Sequence, residues 1–221
     1  MEESYMLDLG NIFILGDSYS TFTGLIPEGY GSWYSPQPKP ETDVTKAEQI
    51  WHQRLLAQMK GTIVLNDSWS GSTVCCTGYD GKDFSHCAFI NRLDKYLEEG
   101  FFEANKVDTF FILGATNDSW SDAPVGELQY ADWTKEDLYR VLPAVGYLAW
   151  RLAENFPNTR LLYIVNTELK DEITQGILTA CAHFGIPTLQ LKEIDKLSGH
   201  PTIKGMQQIA DQVAAYFEEK H

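Results

Sequence analysis

A serine that directly follows a short apolar segment is the residue of this chain best placed to do chemistry. The segment from Asn11 to Ser18, NIFILGDS, holds four consecutive apolar residues between polar flanks. Such a run is typical of a strand buried inside a parallel sheet. A Gly-Asp-Ser turn at the carboxyl end of that strand lies where open α/β sheets bind their ligands. Ser18 is therefore a candidate nucleophile, which needs a base, an orienting acid and an oxyanion hole.

Three further loops carry polar residues next to other predicted strands. Gly71 lies in the motif SGST after the second strand, Asn117 lies in GATND after the third, and His200 lies in SGHP before the last helix. Because the carboxyl ends of parallel strands meet at one edge of a sheet, we expect these residues to lie close to Ser18. A neutral histidine can take the proton of a serine hydroxyl near pH 7, and an anionic oxygen needs fixed donors.

In these four motifs the chain resembles the SGNH hydrolases of the GDSL esterase/lipase family, over about residues 11 to 215. The resemblance implies that Ser18 is the nucleophile and that His200 is the general base. It also implies an oxyanion hole made by the main-chain amides of Ser18 and Gly71 and the side-chain amide of Asn117. A glycine at position 71 suits this role because a side chain there could obstruct the substrate oxygen.

The orienting acid is where the sequence departs from the family pattern. Family members usually carry Asp three residues before the histidine, and that position is Leu197 here. Asp195 lies five residues before His200, and an inserted turn at Ser198 and Gly199 could let its carboxylate reach the imidazole. We expect Asp195 to be the third catalytic residue, since an anion stabilises the imidazolium formed in the reaction. The alternative is a Ser–His dyad whose ring is oriented by a backbone carbonyl.

The elements that must position these residues alternate between strands and helices. This alternation predicts an α/β fold, a three-layer αβα sandwich around a five-stranded parallel sheet in the flavodoxin-like order 2-1-3-4-5. We expect one domain over residues 1–221. Besides the first strand, strands are predicted at 62–65, 107–113, 160–165 and 187–191, and helices at 46–60, 137–155, 173–184 and 202–218.

Two parts of the chain do not fit a simple alternation. In the helix at 137–155, Pro143 and Gly146 are expected to bend or break the helix. The segments 23–45 and 72–84 are rich in Gly and aromatic residues, and 23–45 in Pro as well. Long loops in a compact domain are usually functional or disordered, so we expect both segments to shape the site.

Composition narrows the classes of partner and cofactor. A formal net charge of −14 argues against nucleic acid and anionic membranes as partners, because phosphates would be repelled. No apolar run approaches the roughly 20 residues of a spanning helix. The acidic start lacks the features of a secretory signal, so we expect a cytoplasmic protein as written, or a secreted or periplasmic one if a signal peptide preceded it. The four cysteines are expected to be buried free thiols, and no metal or other cofactor is expected.

Aromatic residues in the loops near the predicted edge are candidates for substrate binding. They are Trp33, Tyr34, Trp69 and Trp120. An aromatic wall could stack on a sugar or hold an acyl chain, and the same residues could instead cover the core above the sheet.

These observations favour a serine ester hydrolase that forms an acyl-enzyme on small acyl esters, among them acetyl groups on carbohydrate. The sequence leaves two alternatives open. One is a flavodoxin-like binding module, since the hydroxyl-rich segment 18–24 superficially resembles a phosphate loop. The other is a catalytically impaired member of the same family that binds carbohydrate.

Overall fold

The structure is a computed structural model that describes residues 6–220. Its centre is a parallel sheet in the order β2-β1-β3-β4-β5, which confirms the predicted topology. The strands are β1 (Asp8–Gly16), β2 (Lys60–Ser68), β3 (Thr109–Gly114), β4 (Arg160–Val165) and β5 (Thr188–Gln190). Residues 1–5 and 221, which the predicted domain includes, lie outside the described residues, as does most of the acidic start.

Seven α-helices and one small hairpin complete the described part of the chain. The helices are α1 (Trp51–Leu56), α2 (Phe89–Glu98), α3 (Phe101–Ala104), α4 (Thr116–Trp120), α5 (Val141–Asn155), α6 (Asp171–His183) and α7 (Ile203–Glu218). Two short strands, β6 (Lys196–Leu197) and β7 (His200–Pro201), pair antiparallel just before α7. None of the helices within residues 6–220 has both the length and the apolar character needed to cross a membrane.

Alternate residues of the central strands divide the core into two layers. Phe13 and Leu15 of β1 face a cluster that includes buried residues of α2, α5 and α6. Ile12 and Ile14 face a second cluster, to which α1 and α7 contribute. This period of two follows from the pleat of a strand, and both faces are apolar because helices cover both. The three-layer αβα arrangement is therefore as predicted.

The helix predicted at 137–155 is not broken within α5. A 3-10 turn at Asp137–Tyr139 precedes it, and Arg140 is extended before the helix begins at Val141. Pro143 falls in the first turn of α5, where a backbone N–H has no intrahelical partner to lose. Gly146 is buried and lies so close to the carbonyl oxygen of Gln129 that a Cβ atom would collide with it. Both residues are thus compatible with a continuous helix.

Other boundaries differ from the prediction. The helix expected at 46–60 is a 3-10 turn at Ala47–Gln49 followed by the short α1. The helices α2 and α3, which lie in the connection from β2 to β3, were not predicted. All four cysteines are buried free thiols, as expected.

Candidate active site

The turn after β1 presents Ser18 at the carboxyl edge of the sheet. Asp17 lies between the strand and a 3-10 turn at Ser18–Ser20, and its Oδ1 accepts a hydrogen bond from the amide of Tyr19 at 3.0 Å. Thr21 donates its hydroxyl to the Ser18 carbonyl at 2.9 Å. The serine is thus held in a sharp, capped turn, and its side chain is buried.

His200 comes from the other end of the chain to meet this serine. Its Nε2 lies 3.0 Å from Ser18 Oγ, and its Nδ1 lies 3.1 Å from the carbonyl oxygen of Ser198. A carbonyl oxygen can only accept, so Nδ1 carries the proton and Nε2 presents its lone pair. Nε2 is therefore free to accept the proton of the Ser18 hydroxyl.

The β6–β7 hairpin sets the position of the imidazole. Its two turn residues, Ser198 and Gly199, have φ of 50° and 76°, as a two-residue hairpin turn of type I′ requires. Two buried tyrosines hold the hairpin from the side of the nucleophile. The hydroxyl of Tyr19 donates to the Gly199 carbonyl at 2.6 Å, and that of Tyr34 donates to the Pro201 carbonyl at 2.9 Å.

Asp195 does not occupy the place predicted for it. Its carboxylate accepts a hydrogen bond from Thr202 Oγ1, the hydroxyl that also caps the N-terminus of α7. Its amide donates to Gln208 at 2.8 Å. The prediction of Asp195 as the partner of His200 is therefore wrong in this structure, because the inserted turn closes as a tight hairpin that brings the Ser198 carbonyl to Nδ1. The geometry corresponds to the dyad alternative.

Two main-chain amides at the predicted site have no acceptor in the described part of the chain. They are the N–H groups of Ser18 and Gly71. Gly71 has a φ of 84° in the turn after β2, and a Cβ atom built on it would meet nothing within 4 Å. The positive φ therefore favours glycine here, and the open space before it leaves room for a substrate oxygen.

The side chain of Asn117 has a fixed orientation. Its Oδ1 accepts from the hydroxyl of Tyr79 at 2.8 Å, and its Nδ2 donates to the carbonyl of Ser72 at 2.9 Å. The second hydrogen of the amide is left for another acceptor. Tyr79 thus determines which end of the amide can act as a donor. Sequence reasoning missed this residue, although it lies in the aromatic loop 72–84.

A buried ion pair beneath the site connects the ends of two strands. Arg92 of α2 lies 2.7 Å from the carboxylate of Asp67 in β2 and donates to the carbonyl of Gly16 in β1 at 3.1 Å. It also donates to Ser72 Oγ, next to Gly71, at 3.2 Å. One guanidinium therefore joins the nucleophile strand, the second strand and the loop that carries Gly71.

Two further carboxylates are buried near the nucleophile. Asp118 accepts from the amides of Val74 and Cys75 at 2.8 and 3.1 Å, which ties α4 to the loop after Gly71. Burial raises the pKa of Asp118 to about 6 and that of Asp17 to about 7. Among residues 6–220, no group of three or more His, Cys, Asp or Glu side chains is arranged to hold a metal ion.

The predicted aromatic residues divide into three groups. Trp33 stacks on the imidazole of His200, with ring centroids 3.6 Å apart, and Trp120 meets the same ring edge-on at 5.4 Å. Trp69 stacks on Tyr30 at 4.0 Å, beside the loop of Gly71. Tyr34 is fully buried. Its prediction as a substrate-binding residue is wrong, because its ring is in the core and its hydroxyl is used by the hairpin.

The surroundings of His200 disfavour its charged form. Burial is the main reason that its pKa falls from 6.5 to about 4, and the cations Lys39 and Lys196 act in the same direction. The hydrogen bond to the Ser198 carbonyl acts in the opposite direction. The imidazole is therefore neutral at physiological pH, the form that a general base needs.

The arrangement of these groups can be compared with known families. A family model described as GDSL-like lipase/acylhydrolase matches residues 10–217. The chain belongs to this family. The resemblance found in the four sequence motifs is thereby confirmed. The alternative of a flavodoxin-like binding module loses its basis, since the GDSL match covers nearly the whole chain. No protein with a curated description matches.

Solved structures of similar proteins support the same assignment. A candidate GDSL-like lipase from Bacteroides ovatus is 39% identical, with 96% of this chain and 99% of that chain covered and a TM-score of 0.87. A second one, from Bacteroides uniformis, is 41% identical, with 95% of both chains covered and a TM-score of 0.86. A family two carbohydrate esterase from Clostridium thermocellum in complex with cellohexaose is 16% identical, with 97% of this chain and 65% of that chain covered and a TM-score of 0.61, and shares the fold.

Proposed function

We propose that this GDSL-like protein is a serine esterase that works through an acyl-enzyme. The observation that carries the proposal is the 3.0 Å distance between Ser18 Oγ and His200 Nε2, with Nδ1 held in its protonated form by the Ser198 carbonyl. As Oγ attacks the ester carbonyl, its proton moves to Nε2. The resulting imidazolium then gives that proton to the departing alcohol, and the acyl group stays on Ser18. In the second half, His200 takes a proton from the water that attacks the acyl-enzyme, and it returns that proton to Ser18 Oγ as the bond to the acyl group breaks and the acid leaves.

The oxyanion that forms in each half needs donors that are already in place. The unpartnered amides of Ser18 and Gly71 and the second hydrogen of Asn117 Nδ2 supply three. Donors of this kind act most strongly in a site from which water is excluded, and the side chains of Ser18, Asn117 and His200 are buried. Removal of one donor typically costs about 2.7–4 kcal/mol of transition-state stabilisation.

The imidazolium in this mechanism has no carboxylate partner. The Ser198 carbonyl accepts the Nδ1 proton and fixes the tautomer, which is one of the two roles of the acid in a triad. A carbonyl dipole contributes less than a full charge to the imidazolium. The indole face of Trp33, which lies parallel to the ring, is the other group positioned to contribute.

The burial of the reacting atoms favours a small acyl group. Ser18 is 2% exposed and His200 is 5% exposed, so a long acyl chain would have to displace the aromatic residues around them. Near these atoms lies the exposed Trp120, which meets the His200 ring edge-on, and the stacked pair Tyr30–Trp69 lies in and beside the loop of Gly71. Aromatic faces of this kind suit sugar rings, and a fold neighbour is a carbohydrate esterase crystallised with cellohexaose. We therefore propose acetyl esters of carbohydrates as the substrate class.

Hydrolysis of p-nitrophenyl acetate by matched variants tests the proposed reaction. Ser18→Ala should lower kcat by at least about a thousandfold, whereas Ser35→Ala, a serine in the loop 23–45, should keep the wild-type rate. Undiminished hydrolysis by Ser18→Ala would refute the proposal. A panel of acetylated oligosaccharides then tests the substrate class. Binding of oligosaccharide without any hydrolysis would instead support the catalytically impaired binding module.

A further inference from the structure

The ammonium of Lys39 and the imidazole of His200 both lie against the indole of Trp33. The ring of Trp33 is nearly parallel to that of His200, with an angle of 6° and 3.6 Å between centroids. The ammonium of Lys39 lies 3.5 Å from the centroid of the same indole. Two groups this close to one ring cannot occupy the same face. The order is therefore Lys39, Trp33, His200, with the indole in the middle.

Local structure around Lys39 restricts its position. Pro38 and Pro40 flank it, and each proline fixes its own φ. Lys39 pairs with Thr42 in an isolated antiparallel bridge, in which the Thr42 amide donates to the Lys39 carbonyl at 3.3 Å. Within residues 6–220 its ammonium has no carboxylate oxygen inside 4.0 Å. A half-buried lysine is thus placed on an aromatic face without an ion-pair partner.

The other polar groups around the imidazole do not supply a negative charge. Lys196 of the hairpin is the second nearby cation, and its ammonium is paired with Glu168 at 2.8 Å. The hydroxyls of Tyr19 and Tyr34 are used by hairpin carbonyls. In the described part of the chain, the imidazole of His200 hydrogen-bonds only to Ser198 and Ser18. The stack of Lys39 on Trp33 therefore carries the main charge that acts on the imidazole of His200, which has no carboxylate partner.

We propose that Trp33 and Lys39 are positioning residues for His200: the indole does part of the work of the missing acid, and Lys39 sets how readily the ring takes up a proton. The indole fixes the plane of the ring and stabilises the imidazolium through its π face. Lys39, on the far face of the same indole, opposes protonation of His200 before the reaction begins, so that the imidazole stays in its basic form. This inference rests on the proposed function, in which His200 takes the proton of Ser18.

The two residues act in opposite directions on the imidazolium. A cation on one face of an indole reduces what its π system can offer to a cation on the other face, and two positive charges also repel directly. The pKa of His200 is lowered by Lys39, after the larger effect of burial. Removal of the lysine charge should therefore make His200 easier to protonate, and removal of the indole should make its ring less well oriented.

An NMR titration of the His200 ring, assigned by comparison with His200→Gln, tests the role of Lys39 without any need for turnover. Lys39→Met keeps an apolar stem on Trp33 and removes the charge, so its His200 midpoint should move to higher pH, by roughly half a unit. Lys39→Arg should titrate as the wild type does. Lys60→Met, which makes the same change of net charge at the opposite edge of the sheet, should also leave the midpoint unchanged. An unmoved midpoint in Lys39→Met, or an equal shift in Lys60→Met, would overturn the proposal.

Kinetics of two tryptophan variants test the indole. Trp33→Leu keeps an apolar cover and removes the π face, so kcat for p-nitrophenyl acetate should fall about tenfold at pH 7 with little change in KM. Trp33→Phe, which keeps a smaller π face and is less disruptive to folding, should lose less. Wild-type kcat in both variants would contradict a role for the stack. If the wild-type protein itself showed no hydrolysis, the proposed esterase function would be wrong. The NMR titration would still test whether Lys39 acts on His200.

Discussion

The Nδ1 atom of His200 lies 3.1 Å from the carbonyl oxygen of Ser198, two residues earlier in the same hairpin. This contact fixes the tautomer that leaves Nε2 ready to accept a proton from Ser18. The carbonyl can be there because Ser198 and Gly199 both adopt positive φ, which turns the chain back within two residues. The group that orients the base is thus produced by backbone geometry and not by an acidic side chain.

Substitution of Asp195 should leave catalysis nearly intact. Its carboxylate binds Thr202, at the start of α7, and does not contact the imidazole. Asp195→Ala should keep kcat/KM for p-nitrophenyl acetate within about threefold of the wild type, while His200→Ala should lose a thousandfold or more. Steady-state kinetics on both variants provide the comparison. A hundredfold loss in Asp195→Ala would indicate that a carboxylate does reach the base during turnover.

The hydroxyl of Tyr79 should matter for rate because it fixes the amide of Asn117. Asn117→Ala removes an oxyanion donor and should lower kcat by about a hundredfold to a thousandfold. Tyr79→Phe keeps the Asn117 side chain but no longer fixes the orientation of its amide, so we expect a smaller loss of kcat, about tenfold. Tyr216→Phe on α7, remote from the site, serves as the control. Equal rates for Tyr79→Phe and wild type would show that Asn117 needs no help from this hydroxyl.

Activity should persist well into the acidic range. The pKa of His200 is lowered to about 4, chiefly by burial, and a histidine acts as a base only above its pKa. The acid limb of kcat/KM should therefore lie nearer pH 4 than the usual 6.5 of histidine. The measurement is a pH profile of p-nitrophenyl acetate hydrolysis, with circular dichroism at each pH to confirm folding. An acid limb near 6.5 in folded protein would contradict this expectation.

The buried carboxyl of Asp17 should make stability depend on pH. Its pKa is raised from 3.8 to about 7 by burial, so the folded state holds the proton more tightly than the unfolded state. The free energy of unfolding should accordingly decrease as pH rises from about 4 to about 7. Asp17→Asn keeps an oxygen for the Tyr19 amide and removes the ionisation.

Urea unfolding at pH 5 and pH 8 measures this effect. The stability advantage of Asp17→Asn over the wild type should be larger at pH 8, where the native carboxyl must ionise in a buried place. Asp118 is unchanged in the variant, so its own titration cancels in the comparison. The opposite order, with Asp17→Asn less favoured at pH 8 than at pH 5, would mean that Asp17 is stabilised as an anion.

Much of the fold and part of the candidate site could be predicted from sequence. Apolar runs marked the strands because strands covered on both faces must be apolar throughout. Ser18, Gly71 and Asn117 follow three of these strands, so topology alone brings them to one edge. In the structure His200 lies against Ser18, and Asn117 bonds to Ser72, next to Gly71. The catalytic roles assigned to them remain predictions.

Other features of the site, such as the group that orients His200, depend on contacts that a sequence pattern does not encode. The expected triad required Asp195 to reach His200 across an inserted turn, but the conformation of the turn residues Ser198 and Gly199 decided which group reaches Nδ1. Tyr34 was predicted to bind substrate, but its ring is buried and its hydroxyl donates to the hairpin carbonyl of Pro201. Helix α2 had a signal that was missed, since Phe89, Ile90 and Leu93 recur at helical spacing and are buried.

Mass spectrometry after reaction with a fluorophosphonate probe tests most directly whether Ser18 is an activated nucleophile. This reagent phosphonylates a serine only where a base takes the hydroxyl proton and donors hold the anionic oxygen. We expect one adduct per wild-type molecule, on the peptide that contains Ser18, and none in Ser18→Ala. We expect an adduct on Ser18 in Asp195→Ala as well. An unlabelled wild-type protein, or an adduct that persists elsewhere in Ser18→Ala, would contradict it.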